Sequence, residues 1–146
     1  MSMMRQRGLL LATLLLAVLA AGCADVPLVG RHERTTAFDD ATDNYGKMLR
    51  WGYFEEAAKY LRAQDGSAIV PDLDRVARYR VTSYTISNKL LADTGREGRV
   101  LATIEYYEID SGVLRTLRDE QLWWHDRESD HWFLASPLPA FGIDTK

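Results

Sequence analysis

The feature that most constrains this chain is a change of period at Asp74. Between Thr36 and that point apolar residues recur at helical spacing. Beyond it they alternate, as strands require. Phe38, Ala41, Tyr45, Met48, Leu49 and Gly52 share one face of a first helix. Residues 53–62 predict a second, shorter helix with Phe54, Ala57, Ala58 and Leu61 as its apolar stripe, ended by Asp65-Gly66. Phe54 and Leu61 are expected to bury against the sheet. Ala68-Ile69-Val70 before Pro71 reads as a short strand or an extended connector. Strands follow at residues 76–91, 99–109, 113–124 and 131–135, with turns at 93–98, 110–112 and 126–130. Such short turns can join only antiparallel neighbours. The expectation is an α+β domain in which two N-terminal helices pack on a curved four-stranded antiparallel sheet.

The ends of the first helix carry their own signals. Thr36 and Asp39 have capping-box spacing. Asp39, Asp40 and Asp43 near the start, with Lys47 and Arg50 near the end, complement the helix dipole. Gly46 costs about 1 kcal/mol relative to Ala inside a helix and so marks a close approach of another element. Gly52 suits the C-terminal cap.

Ahead of all this lies a leader. Arg5 and Arg7 precede an apolar run at residues 8–19, too short for a comfortable membrane span of about 20 residues. Small residues and the chain's only cysteine follow, the anatomy of a secretory signal. Leu19-Ala20-Ala21-Gly22-Cys23 resembles a bacterial lipobox, with Ala20 where Leu is commoner. The resemblance implies a signal peptide at 1–22, a lipidated Cys23 and tether at 23–34, and a folded domain at 35–146. Ala24, rather than Asp, after the cysteine implies sorting to the outer membrane, facing the periplasm. Acyl chains contribute about 0.8 kcal/mol per buried methylene, so several make a firm anchor. A lipidated Cys23 leaves no thiol for a disulfide, so the domain depends on its core. Losing Arg5 and Arg7 takes Lys+Arg from 18 to 16 against 21 Asp+Glu, a net charge of −5. That balance argues against nucleic acid as a partner.

The stretch Leu49-Arg50-Trp51-Gly52-Tyr53-Phe54-Glu55-Glu56-Ala57-Ala58-Lys59-Tyr60-Leu61, followed by the strands, resembles the NTF2-like superfamily. The shared pattern is a long helix, a small turn, a short helix with paired alanines, then a strongly curved sheet. Residues 64–75 depart from it, being too short for the third helix many members carry. A cystatin-like helix-on-sheet fold shares the same outline. The NTF2-like resemblance implies a cone-shaped interior, which some members use as an active site with an acid and a tyrosine on its wall.

Tyr45, Tyr79, Tyr106 and Glu108, together with Glu105, are the wall candidates here. No acid–tyrosine pair of the family maps onto them residue by residue, so no catalytic residue is assigned. Trp123, Trp124 and Trp132 are the candidate interaction surface, since aromatic residues concentrate in interface cores. Consecutive Trp123 and Trp124 must face opposite ways on a strand. His125, Asp126, Asp130 and His131 are the most metal-like cluster. They equally suit a solvated turn, because structural zinc takes four placed ligands, and no metal or cofactor is expected. Arg78, Arg80, Arg115 and Arg118 with Glu105, Asp119 and Glu120 predict a charged outer sheet face of cross-strand pairs. The sequence carries no phosphate-binding glycine loop and no Ser-His-Asp pattern. The function expected is a non-catalytic binding or scaffolding module of the cell envelope, anchored to the membrane through Cys23. An envelope protein or a second copy is its expected partner. The alternative is a small-ligand carrier or enzyme using the cone.

Overall fold

Alternating side chains beyond Asp74 produce a four-stranded antiparallel meander. β1 (Tyr79–Leu91), β2 (Glu97–Glu108), β3 (Leu114–Asp126) and β4 (His131–Leu134) lie in the order β1-β2-β3-β4. The computed structural model describes residues 27–143. The leader and Cys23 lie outside them. The chain divides into two compact units, Met1–Gly30 and Arg31–Lys146. Of the first, only the residues of α1 (Pro27–Trp51) from Pro27 on are described.

The first helix starts earlier than its apolar stripe suggests. Residues 27–33, expected as non-helical tether, are helical from Pro27. The turns that follow extend a segment already fixed by packing, which needs no apolar stripe of its own. Thr36 is therefore no cap; it is a mid-helix residue whose hydroxyl donates to the His32 carbonyl at 3.1 Å. Asp39 and Asp43 instead accept from Lys89 Nζ at 3.0 and 3.2 Å, tying α1 to β1.

Packing fixes the direction of α1 along the sheet. Phe38 stacks on Trp132 near the start of β2, with ring centroids 4.7 Å apart. Gly98 lies against the Phe38 ring. Gly46 lets the helix rest on the Tyr84 ring; a Cβ there would overlap the ring. The domain's second end holds the start of β1, where Phe54 meets Phe141 and Phe141 meets Tyr79. α1 thus runs antiparallel to β1 and buries Phe38, Tyr45 and Leu49.

Two elements differ from expectation. α2 (Phe54–Ala58) is a single turn and a half rather than residues 53–62. The chain leaves it to run parallel to β4: Leu134 N–H donates to Tyr60 O at 2.7 Å and Arg62 N–H to Leu134 O at 3.0 Å. These bonds satisfy the outer side of β4, and Leu61 still buries. Residues 64–75 do yield a short helix, α3 (Leu73–Val76), capped by the Asp72 carboxylate on Arg75 N–H at 3.0 Å. It takes Val76 out of β1.

Beyond β4 the chain folds back under the helices. Leu138 and Phe141 are buried, Arg75 donates to Phe141 O at 3.0 Å, and Gly142 N–H donates to Tyr106 Oη at 3.1 Å. Gly142 sits at φ +71, with the Tyr79 hydroxyl where a side chain would be.

Candidate functional site

β3 brings the buried polar groups together. Alternation places Leu117, Asp119, Gln121 and Trp123 on the inner face. The polar residues among them meet Tyr84 from β1 and Tyr45 from α1. Gln121 organises the group. Its Nε2 donates to Asp119 Oδ2 at 2.6 Å and to Tyr84 Oη at 2.8 Å, while its Oε1 accepts from Trp123 Nε1 at 3.0 Å. Trp123 is fully buried and meets Tyr45 and Tyr60 edge-on, both at 5.6 Å.

The electrostatics of this cluster are unusual for the chain. Burial pushes the Asp119 carboxyl up to about 6, with the Gln121 hydrogen bond working against the shift. Burial likewise raises Tyr84, helped by the negative charges of Asp119 and Asp43 and opposed by Gln121. Tyr45 is raised by burial first, then by Asp119 and Tyr84. The Tyr45 hydroxyl is buried and has no hydrogen-bond partner. One acid that changes charge near neutrality therefore stands beside two protonated phenols. Such a set can donate to or accept from a small polar group. A groove of about 380 Å³ lies at Tyr84, rimmed by Asp43, Lys47 and Arg50.

The sequence-predicted wall residues do not form one pocket. Tyr79 and Tyr106 meet each other at 5.7 Å and meet Phe141 at 5.6 and 4.8 Å, so the C-terminal segment occupies the space they were expected to line. Glu108 is half-buried opposite Tyr79 at the end of β2, and Glu105 is exposed. Only Tyr45 joins the polar cluster. Asp119, expected on the charged outer face, points inward, because it keeps step with Leu117 and Trp123. Tyr84 and Gln121 were not singled out. The signal that finds Asp119 and Gln121 is a count by twos back from Trp123.

The tryptophans also divide differently. Trp123 and Trp132 are core rather than interaction surface, at 0% and 4% exposure. Trp124 faces the other way and is half-buried. It stacks on Phe133 at 5.5 Å and donates to Arg62 O at 2.8 Å. The Arg62 guanidinium covers the Phe133 ring at 4.2 Å. Val70, Leu90 and Ile143 are exposed, and so is a group made of Trp51 at 72%, Tyr53, Ile109, Val113 and Leu114. That group sits at the end of the domain where α1 finishes and the β2–β3 hairpin turns.

His125 Nε2 lies 3.1 Å from Asp130 Oδ1. His131 Nδ1 contacts Ser129 O, and Asp126 accepts from Ser129 Oγ at 2.6 Å, which holds its carboxyl below the usual range. The hairpin residues thus bond within the turn. Among the described residues, no three His, Cys, Asp or Glu side chains converge as metal ligands. No family model, curated protein or solved structure matches this chain.

Proposed function

We propose that the chain is an outer-membrane lipoprotein, anchored through Cys23, whose NTF2-like domain serves in the periplasm as a non-catalytic binding or scaffolding module. The anchor rests on Leu19-Ala20-Ala21-Gly22-Cys23 behind a short apolar run. The NTF2-like assignment is supported by one long helix and a short one over an antiparallel meander with two bulges in β1. A cystatin-like fold shares the helix-on-sheet outline.

The observation that carries the binding role is the closed interior. Phe141 seals the aromatic end, while Trp51, Tyr53, Val113 and Leu114 stay exposed at that same end. Exposed aromatic and aliphatic side chains gathered at one end suit a protein contact. Cys23→Ser is expected to move the protein from the membrane fraction to a soluble or precursor form with no lipid mass. Trp51→Ser with Leu114→Ser should abolish co-purification of its envelope partner from solubilised membranes while leaving the melting temperature unchanged. Membrane recovery of Cys23→Ser with unchanged mass overturns the anchor; unchanged co-purification overturns the contact.

The Asp119–Tyr84–Tyr45 cluster favours a second reading, a small-ligand carrier or enzyme. The unpartnered Tyr45 hydroxyl is the observation behind it. A polar small molecule that binds wild-type protein but not Tyr45→Phe would support this reading.

A further inference from the structure

The two edges of the sheet are built differently, and one of them matches itself. β4 pairs only with residues 123–126 of β3, so the rest of β3 is an edge. Leu122 sends both backbone groups outward: its N–H donates to Ser136 Oγ at 2.9 Å and its C=O accepts from Ala135 N–H at 2.7 Å. The β2–β3 register runs without a bulge from Leu114 to Trp124. The backbone groups of Glu120, Arg118, Thr116 and Leu114 therefore also point outward, since the direction repeats every second residue. All four residues are exposed. β1, the opposite edge, is interrupted by bulges at Val81/Ser83 and Ile86/Asn88. Bulges of this kind block regular pairing with another strand.

We propose that the β3 edge is the contact surface for a second copy of this chain, paired antiparallel about a two-fold axis at Leu117. In that register Leu117 meets the Leu117 of the other copy, and Arg115 meets Asp119 twice. Thr116 and Arg118 face each other as hydrogen-bonded pairs. Leu114 does the same with Glu120. The sequence selects this register. Moving the axis to Thr116 loses both Arg115–Asp119 pairs and sets Val113 against Asp119. Moving it to Arg118 sets Arg118 against Arg118. Moving it to Asp119 or Glu120 sets carboxylates against each other, and like charges directly opposite are destabilising. Pairing over this length adds roughly eight backbone hydrogen bonds. It also gives the half-buried Asp119 carboxylate a cationic partner from the other copy. Because the β1 edge is bulged, assembly closes at two copies and does not propagate. The proposal is independent of the lipid anchor.

Sedimentation of the purified full-length protein in detergent is expected to show a concentration-dependent dimer. Arg115→Asp should weaken it at least about tenfold, because carboxylates then face each other. Mixing Arg115→Asp with Asp119→Arg should restore a dimer containing one of each. In the Cys23→Ser background, Leu117→Cys should form a disulfide-linked dimer on mild oxidation, since opposed Cα atoms in a non-hydrogen-bonded pair lie about 4.5 Å apart, within disulfide reach. Thr85→Cys on β1 should not. A wild-type monomer at all concentrations overturns the proposal. So does a dimer indifferent to Arg115→Asp, or one trapped through Thr85→Cys and not Leu117→Cys. The cysteine trap decides the matter if Asp119→Arg fails to fold.

Discussion

The interior has two regions that close by opposite means. At the end near the start of β1, Tyr79, Tyr106, Phe54 and Phe141 pack as rings against rings, and the Tyr106 hydroxyl accepts from Gly142 N–H. Midway along the sheet, Tyr45, Tyr84, Asp119 and Gln121 also pack tightly, but around a carboxyl group and a phenol with no partner. The first region gains stability from every atom it buries. The second gives some up, because desolvating a carboxylate and a hydroxyl is costly. The difference separates a region held by apolar packing from one whose buried polar groups cost stability.

The largest expected effect lies in the aromatic region. Phe141→Ala should cost about 3–5 kcal/mol, the usual range for a buried Phe. It should also loosen residues 135–143, which amide exchange would register. A loss below about 1 kcal/mol would mean the segment is not a structural seal. Leu61→Ala, beside β4, should cost about 2–5 kcal/mol in denaturant melts.

The polar region should respond with the opposite sign. Asp119 has its carboxyl raised from the ordinary 3.8 to about 6. The folded state therefore holds this proton more tightly than the unfolded chain does. Its contribution is unopposed below about pH 4 and becomes a penalty as pH rises through about 6. The shift corresponds to at most about 3 kcal/mol, reduced because the carboxylate keeps some solvent contact. Asp119→Asn should leave stability unchanged at pH 4 and raise it by about 1–2 kcal/mol at pH 8 in dilute protein. A uniform loss across pH would mean the carboxylate is stabilising as a charge.

The smallest effect belongs to Tyr45→Phe. Its hydroxyl has no partner, so removing it should change stability by less than about 1 kcal/mol, and toward greater stability. A loss above about 2 kcal/mol would show that the hydroxyl is bonded, for example through a buried water.

How much of this was legible depends on how each element earns its place. The strands could be read because period-two alternation and turn residues are local signals. Phe38, Tyr45, Leu49 and Phe54 could be read because helical spacing exposes a stripe; Leu61 buries as expected, but from the extended segment beside β4. The helical state of residues 27–33 was not legible, since they show no helical period in the sequence. Phe141 was missed because a segment with Pro137 and Pro139 carries no period. Its burial is decided by Tyr79 and Tyr106, more than thirty residues away in sequence. At Asp119 residue type and strand parity disagree: its charge argues for the outer face, its step along β3 for the inner one. A carboxylate on an inner face is the exception that residue type argues against and that only strand parity reveals.

The contrast between the two regions rests on Asp119 more than on any other residue. Carbon-13 NMR of its carboxyl through an acid titration of dilute, monomeric protein reads that group without the Arg115 of a second copy beside it. A midpoint near 6, falling toward the ordinary 3.8 in denaturant, is the expected result. A midpoint at or below 3.8 in the folded protein would contradict it, placing Asp119 in solvent or in a strong ion pair and removing the distinction between the two halves of the interior.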